Sequence, residues 1–342
     1  MANHAGGPSI PAMRAMQVRG FGGPEVLEAV ELPEPTPGPS EVVVDHDHVG
    51  VNFVDTQHRA GTPYRVELPL VVGIEAAGRV AAVGAGVTGF AVGDRVAYGG
   101  IMPGVYAERA AVPADQLVAV PDAITTSVAA GVLVQGWTAH LLAEVAGEPR
   151  RPGDAAVVFA AAGGTGSLLV QVLVARGWRV LGVASGAAKC AHVRALGAEP
   201  VDRSVRDVVA DVLAHTGGAA AVFDGVGGAA FDQARRMLRP TGHLIAYGQS
   251  AGPVPPIDPA VLSGIHPVGG PGSLTLTWPT LNDHNASPEV RRRRAADVFA
   301  LVARGSLQPH IDLGLGLTDA AEAHRRLERG QVLGKLVLDA QS

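Results

Sequence analysis

Two rhythms of apolar and polar positions divide this chain. From residue 15 to about 129, short apolar runs such as Val42-Val43-Val44, Val80 to Val83 and Arg95-Val96-Ala97 are separated by Pro and Gly, and they predict a β-rich region. Residues 32–40 carry four prolines and read as a surface turn. From about Ala130 the rhythm changes. Apolar strands at 155–160, 179–184, 219–223 and 243–247 alternate with helical segments at 167–176, 187–196 (closed by Gly197) and 229–238. Strands this apolar, joined by crossover helices, predict a parallel sheet covered on both faces. After Trp278 the chain turns polar, with a helix expected over 288–304 and a closing strand over 335–338. There is no internal repeat.

Composition narrows the classes. A length of 342 residues suggests about two domains, and 47% apolar against 17% charged residues supports packed cores rather than disorder. The 27 basic and 32 acidic residues leave a net charge of −5, a poor match to a nucleic-acid backbone. Cys190 is the single cysteine, so neither a disulfide framework nor a four-thiolate zinc lobe can form, and a reducing cytoplasm fits. Residues 1–12 have neither the basic cluster nor the apolar run of a signal peptide and read as a loose leader. The 21 uncharged residues between Asp154 and Arg176 are long enough to span a bilayer, but Gly163-Gly164-Thr165-Gly166 breaks them into a buried strand, a turn and a buried helix. No membrane or nucleic-acid partner is expected. Arg291 to Arg294, opening a predicted helix, read as a solvated face.

The strongest chemical signal is Ala161-Ala162-Gly163-Gly164-Thr165-Gly166, placed after a strand and opening a helix. Glycines there let the backbone approach a pyrophosphate, and the helix N-terminus supplies N–H donors and partial positive charge. A purely structural turn is the alternative. The next strand ends at Ala184-Ser185-Gly186, 22 residues past Gly163, where an NAD site would place a carboxylate, and none is present. Lys189 follows, and Arg203 lies just past the next expected strand end at Val201-Asp202. A hydroxyl and two cations suit a ribose 2′-phosphate, so NADPH is the expected cofactor; solvated surface charges are the competing reading.

With these residues in hand, the chain resembles the zinc-independent quinone oxidoreductases, the zeta-crystallin-like branch of the medium-chain dehydrogenase/reductase superfamily. The resemblance is carried from about Met16 onward by Gly50-Val51-Asn52-Phe53-Val54-Asp55-Thr56, Gly73-Ile74-Glu75-Ala76-Ala77-Gly78, Ala91-Val92-Gly93-Asp94-Arg95-Val96, the glycine turn, Ala195-Leu196-Gly197-Ala198, residues 273–281 and Gly334-Lys335-Leu336-Val337-Leu338. It implies an α/β plus β architecture. A GroES-like β-barrel catalytic domain would come from residues 1–129 and 279–342, and a Rossmann domain with a doubly wound parallel sheet from 130–278, with the nicotinamide between them. Zinc-dependent relatives carry an early cysteine and a Gly-His-Glu histidine. Here Asn52 and Ile74 stand in those regions, and no catalytic zinc is expected. His46 and His48 alternate on an expected strand and read as its surface.

The resemblance further implies cofactor contacts at Gln57, Thr138, Ala162 to Gly166, Ser185, Lys189, Arg203, Gly225, Val226, Tyr247, Gly248, Gln249 and Lys335. Asp224 reads as a structural cap. Asn52 is the candidate to meet a substrate carbonyl or the nicotinamide ribose, with a turn-capping asparagine as the alternative. Gln57 stands where relatives carry a tyrosine, and Tyr64 either replaces that phenol or caps the site. Trp278 either shapes the acceptor pocket or packs a core. The implied reaction is NADPH-dependent hydride transfer to a quinone or enone, without a metal to polarise an alcohol. Two alternatives stand beside it: an enoyl-thioester reductase, and an NADPH-binding redox sensor or structural protein without turnover. Relatives commonly form homodimers through an edge strand, here expected over 273–277.

Overall fold

The computed structural model describes residues 11–100, 103–265 and 270–342, and they fall into two compact units. Of the described residues, the first takes 11–100, 103–131, 313–331 and 336–342; the second takes 132–265, 270–312 and 332–335. The return to the first unit therefore comes near residue 313, not 279. The reason is packing within the second unit: the backbone of Gly136 lies against Val298, where an added Cβ would fall 2.7 Å from a valine methyl, and Arg294 donates to Glu144 at 2.7 Å. Of the leader expected at 1–12, residues 1–10 lie outside the described residues, and Ala12 already opens a strand.

The first unit begins with β1 (Ala12–Val18), β2 (Glu28–Pro33) and β3 (Glu41–Gly50), then helix α1 (Phe53–Ala60). It continues through β4 (Leu70–Val71), β5 (Glu75–Val83), β6 (Arg95–Gly99), β7 (Arg109–Pro113) and β8 (Val118–Ala119). Helix α2 (Thr126–Ala146) leads into the second unit, which holds β9 (Ala155–Val158), α3 (Gly164–Ala175), β10 (Arg179–Ala184), α4 (Ala187–Ala195) and β11 (Glu199–Asp202). There follow α5 (Val208–Thr216), β12 (Ala219–Asp224), α6 (Ala229–Arg236), β13 (Leu238–Ala246), β14 (Thr275–Thr277), α7 (Leu281–His284) and α8 (Pro288–Ala303). Strand β15 (Ile311–Gly316), α9 (Ala320–Glu328) and β16 (Lys335–Asp339) close the chain.

In the second unit the strands order as β11-β10-β9-β12-β13-β14, all parallel. The order reverses between β9 and β12, the place where doubly wound sheets bind ligands beyond their strand ends. The uncharged stretch that mimics a membrane span resolves into β9 and α3. Helix α2 is itself long and apolar enough to cross a membrane, and about two-thirds of it is buried in the protein. The arginine run on α8 is not uniformly solvated. Arg292 and Arg293 are exposed, whereas Arg291 is buried and donates to the Asn285 carbonyl, and buried Arg294 reaches Glu144.

The first unit is antiparallel and GroES-like, with a larger sheet ordered β15-β16-β3-β5-β6-β8, β7 added beside β3, and a small sheet β2-β1-β4. Here the two strand histidines depart from expectation. The β3–β5 register shifts between His46 and His48, so simple alternation fails there. His46 is fully buried, its Nδ1 2.8 Å from the Ala107 carbonyl and its Nε2 2.7 Å from the Tyr98 hydroxyl. Nδ1 must therefore donate and Nε2 accept, which makes a neutral, satisfied imidazole. His48 is half-buried beside the Thr126 hydroxyl at 3.2 Å.

Burial lowers the His46 pKa to about 4. Above the ordinary histidine value neither state is protonated; as pH falls below it, only the unfolded chain takes the proton. Stability is thus lost between about pH 6.5 and pH 4, by up to about 3 kcal/mol from this residue. Urea unfolding should show that loss between neutral and mildly acidic buffer, and His46→Gln should flatten the slope. An equal slope in the variant would contradict the assignment.

Candidate active site

In the first unit the sequence around α1 builds a chain of buried polar groups. Asn52 stands at the N-cap of α1, and Asp55, three residues on, accepts its backbone N–H at 2.7 Å. The Asn52 side-chain amide donates to Glu75 Oε2 at 3.0 Å and to the Gly50 carbonyl at 3.3 Å. Glu75 and Asp55 are both fully buried. Asp55 also accepts from the Tyr106 hydroxyl at 3.0 Å, and that oxygen lies 3.3 Å from His324 Nε2. His324 Nδ1 lies 3.3 Å from Arg59, whose guanidinium bonds Glu328 at 2.5 Å and the Gly22 carbonyl at 3.1 Å. Burial first, and the Arg59 charge second, lower the His324 pKa to about 3, so the imidazole stays neutral.

The motif glycines explain themselves against this network. A Cβ on Gly73 would fall 2.1 Å from the Tyr106 ring, so its absence lets the phenol reach Asp55. Asn52 occupies the capping position that was the alternative to a ligand contact, at the N-cap of α1 in a capping box with Asp55. Both amide protons have carboxylate or carbonyl acceptors. Tyr64 is 41% exposed and sets its ring edge-on to His58 with centroids 6.2 Å apart. Gln57 sits half-buried on the same helix, α1. Trp278 is 41% exposed, which removes the core-packing reading. Among the described residues, no three His, Cys, Asp or Glu side chains come together as a metal site.

In the second unit the glycine turn joins β9 to α3, with Gly163 as an N-cap that has no side-chain bond to the helix. At Gly166 the backbone is packed too closely for a side chain, whereas Gly164 lies against a side chain. A Cβ on Gly166 would fall 2.3 Å from the Ala160 carbonyl oxygen, and one on Gly164 would fall 2.0 Å from the Gln135 side chain. Gln135 Oε1 is buried without a hydrogen-bond partner among the described residues, and it faces this turn. Gly334 donates to the Ala162 carbonyl at 2.9 Å and bridges Gly163, so the neighbour of Lys335 pins the turn. Lys335 itself is buried, with its N–H on the His310 carbonyl. Ala162 is buried, Gly163 and Thr165 are partly exposed, and Gly166 is buried under the first turn of α3.

At the ends of β10 and β11, Arg203 Nε donates to the Ser185 hydroxyl at 2.7 Å. Burial, then the nearby Arg203 charge, lowers the Lys189 pKa, so these cations share one neighbourhood. The adjacent carboxylate of Asp202 accepts from the Gly186 N–H and from both the N–H and the hydroxyl of Ser204. Those bonds, led by the Ser204 hydroxyl, hold its pKa down at about 2. Asp224, at the end of β12, caps its own turn by accepting from the Val226 and Gly227 N–H groups at 2.8 and 3.1 Å. Ring atoms of Tyr247 lie where a Gly225 Cβ would be, 2.6 Å away, so the turns after β12 and β13 touch, bringing Gly225, Val226, Tyr247, Gly248 and Gln249 together. Thr138 lies apart from this cluster in bonding terms, its hydroxyl donating to Val134 within α2.

Ser185, Lys189 and Arg203 are thus brought together, and so are the turn residues 162–166. Reading the sequence did not find Asp55, Tyr106, His324 and Arg59 as one network, nor Gln135 beside the turn. The Asn52-to-Asp55 spacing of a capping box was the available signal for the first of these.

Comparison with known proteins matches two families in order along the chain. "Alcohol dehydrogenase GroES-like domain" matches residues 38–122, and "Zinc-binding dehydrogenase" matches 196–338. A quinone oxidoreductase of Pseudomonas aeruginosa is 36% identical, the alignment covering 95% of this chain and 99% of the relative. A 2-haloacrylate reductase from Burkholderia sp. is 33% identical over 94% and 97% of the two chains. The crystal structure of Escherichia coli quinone oxidoreductase complexed with NADPH superposes with a TM-score of 0.89 at 30% identity, over 95% of this chain and 99% of that one. With relatives this similar along nearly its whole length, the chain belongs to the quinone oxidoreductase branch of the medium-chain dehydrogenase/reductase superfamily.

Proposed function

We propose that this chain is a zinc-independent, NADPH-dependent reductase of quinones or other α,β-unsaturated carbonyl compounds. The observation that carries the reading is the Ser185–Arg203 bond with Lys189 beside it, at the strand ends where a ribose phosphate would sit. When bound, NADPH supplies the hydride that reduces the acceptor. The close-packed turn at Gly166 and the N-terminus of α3, which no side chain caps, fit its pyrophosphate. The turns carrying Gly225, Val226, Tyr247, Gly248 and Gln249 lie at the same strand ends, and Lys335 supports the glycine turn through Gly334. Asn52 is the candidate to meet a substrate carbonyl or the nicotinamide ribose, and the Asp55–Tyr106–His324–Arg59 chain holds Asn52 and α1 in place. Gln57 and Tyr64 are the α1-side candidates for contact with cofactor and acceptor. The related reductase of 2-haloacrylate, a conjugated carbonyl compound, supports an acceptor class wider than quinones.

Zinc plays no part in this reading because Asn52 and Ile74 stand in the two regions where zinc-dependent relatives place their ligands, and an isoleucine has no atom to ligate with. Cys190 lies on α4, in the cofactor unit. The edge position of β14, paired on one side with β13, leaves backbone groups for a homodimer contact. A cytoplasmic site suits the lone thiol.

The test is a panel of 1,4-benzoquinone, an enone and an enoyl thioester with NADPH, before and after exhaustive dialysis against a chelator. Turnover of the quinone or enone, unchanged by chelation, is expected. Turnover of the thioester alone would favour the enoyl-thioester reading. No turnover with any acceptor would favour a binding protein.

A further inference from the structure

Along the parallel sheet of the second unit, the carboxyl ends of the strands carry the proposed cofactor residues in order. The glycine turn follows β9, while Ser185 follows β10 and Arg203 follows β11, one and two strands to one side. Gly225 follows β12 and Tyr247 follows β13, one and two strands to the other side. A dinucleotide is two nucleotides of similar length joined at a pyrophosphate. With its adenosine end at β10 and β11, its nicotinamide end falls at β12 and β13. The next strand is β14, about 4.8 Å further on. Its register pairs Thr277 with Ile245, which sets Trp278 level with Ala246 and so with Asp224. Trp278 thus stands on the row of strand ends, one strand beyond Tyr247.

Its surroundings leave the Trp278 ring open to a ligand. Leu276, two residues earlier, packs against the apolar core of this unit, whereas Trp278 is exposed. Among the described residues its indole has no hydrogen-bond or ring partner. Its backbone is held on both sides. The Thr277 hydroxyl bonds His243 Nε2 at 2.8 Å, and the Thr280 hydroxyl caps α7 by accepting the Asp283 N–H. Pro279 further confines Trp278 to extended backbone. The Tyr247 ring lies against Gly225, on the β12 side, and leaves this end of the row to Trp278. We propose that Trp278 is a specificity-determining residue for the electron acceptor: its ring stacks on a flat conjugated one, so the chain favours fused-ring quinones such as 1,4-naphthoquinone over short open-chain enones. This assignment rests on the reductase reading and adds to it the class of acceptor.

Two measurements on the intact chain test it: reduction of 1,4-naphthoquinone and of but-3-en-2-one by NADPH, and calorimetric binding of 1,4-naphthoquinone with and without NADP+, which cannot reduce it. Trp278→Ala should lower both the kcat/KM and the affinity for naphthoquinone by about tenfold, the loss of one stacked aromatic face, and change the kcat/KM for butenone by less than about twofold. The Kd of NADPH should not move, and Trp278→Phe should restore most of the loss. Thermal unfolding checks that each variant keeps the fold, and light scattering that it keeps the oligomeric state of the wild type. Equal losses with the two acceptors overturn the assignment, since the effect would not depend on a flat ring. So does undiminished naphthoquinone binding in Trp278→Ala, or a loss that tracks dissociation of an oligomer, which would make Trp278 a subunit contact. A wild-type chain that binds NADPH but reduces neither acceptor would instead overturn the reductase reading, and calorimetry would still decide whether Trp278 holds the naphthoquinone ring.

Discussion

Replacing Arg59 by Met should lower the unfolding free energy by about 3 kcal/mol, the largest single loss expected outside the apolar cores. The side chain is 3% exposed and its fork meets three partners on separate segments: the Gly22 carbonyl, His324 and Glu328. Removing it strands a carbonyl, a buried imidazole nitrogen and a carboxylate. Glu328 is about one-third exposed, so water recovers part of its solvation, and the estimate stays at the lower end for a buried pair. Arg59→Lys should restore less than half, because an ammonium cannot span the three acceptors with one planar fork. Denaturant unfolding decides this. A loss under about 1 kcal/mol would mean that the network does not anchor α1 to α9.

The second large effect falls on the glycine turn. Gly166→Ala should weaken NADPH binding by at least about a hundredfold and cost about 2 kcal/mol of stability, whereas Gly164→Ala should keep the fold. The difference lies in what each new methyl meets. At Gly166 it meets the Ala160 carbonyl oxygen at 2.3 Å and the Ala161 Cα at 3.0 Å, backbone atoms that can move only if α3 lifts from β9. At Gly164 it meets the end of the Gln135 side chain, which can rotate away. Comparable unfolding midpoints for the two variants would contradict this account of the turn.

Much of the second unit was legible because its strands are continuous apolar runs bounded by Gly or polar residues. The spans 179–184 and 187–196 match β10 and α4 almost residue for residue. Strand β13 starts earlier than its apolar run, at Leu238, because Arg239, Pro240 and Thr241 continue the extended chain without apolar side chains. The first unit was harder to read. His46 looks like a surface residue until the register shift beside it turns the ring into the core, and only Tyr98 and Ala107, distant in sequence, show why a histidine is stable there. Arg59 and His324 are separated by 265 positions, so their contact leaves no local pattern. Lys189 and Arg203 stood out in the sequence because each follows the end of an expected strand, β10 and β11.

The most direct test of the account compares NADPH with NADH as the reductant of 1,4-benzoquinone, in the wild type and in a chain carrying Lys189→Ala and Arg203→Ala. The account predicts a kcat/KM for NADPH at least about tenfold above that for NADH, and near equality in the double variant, because two charge-assisted contacts to the 2′-phosphate are gone. Equal use of the two cofactors by the wild type, or a preference that survives the double substitution, would contradict it.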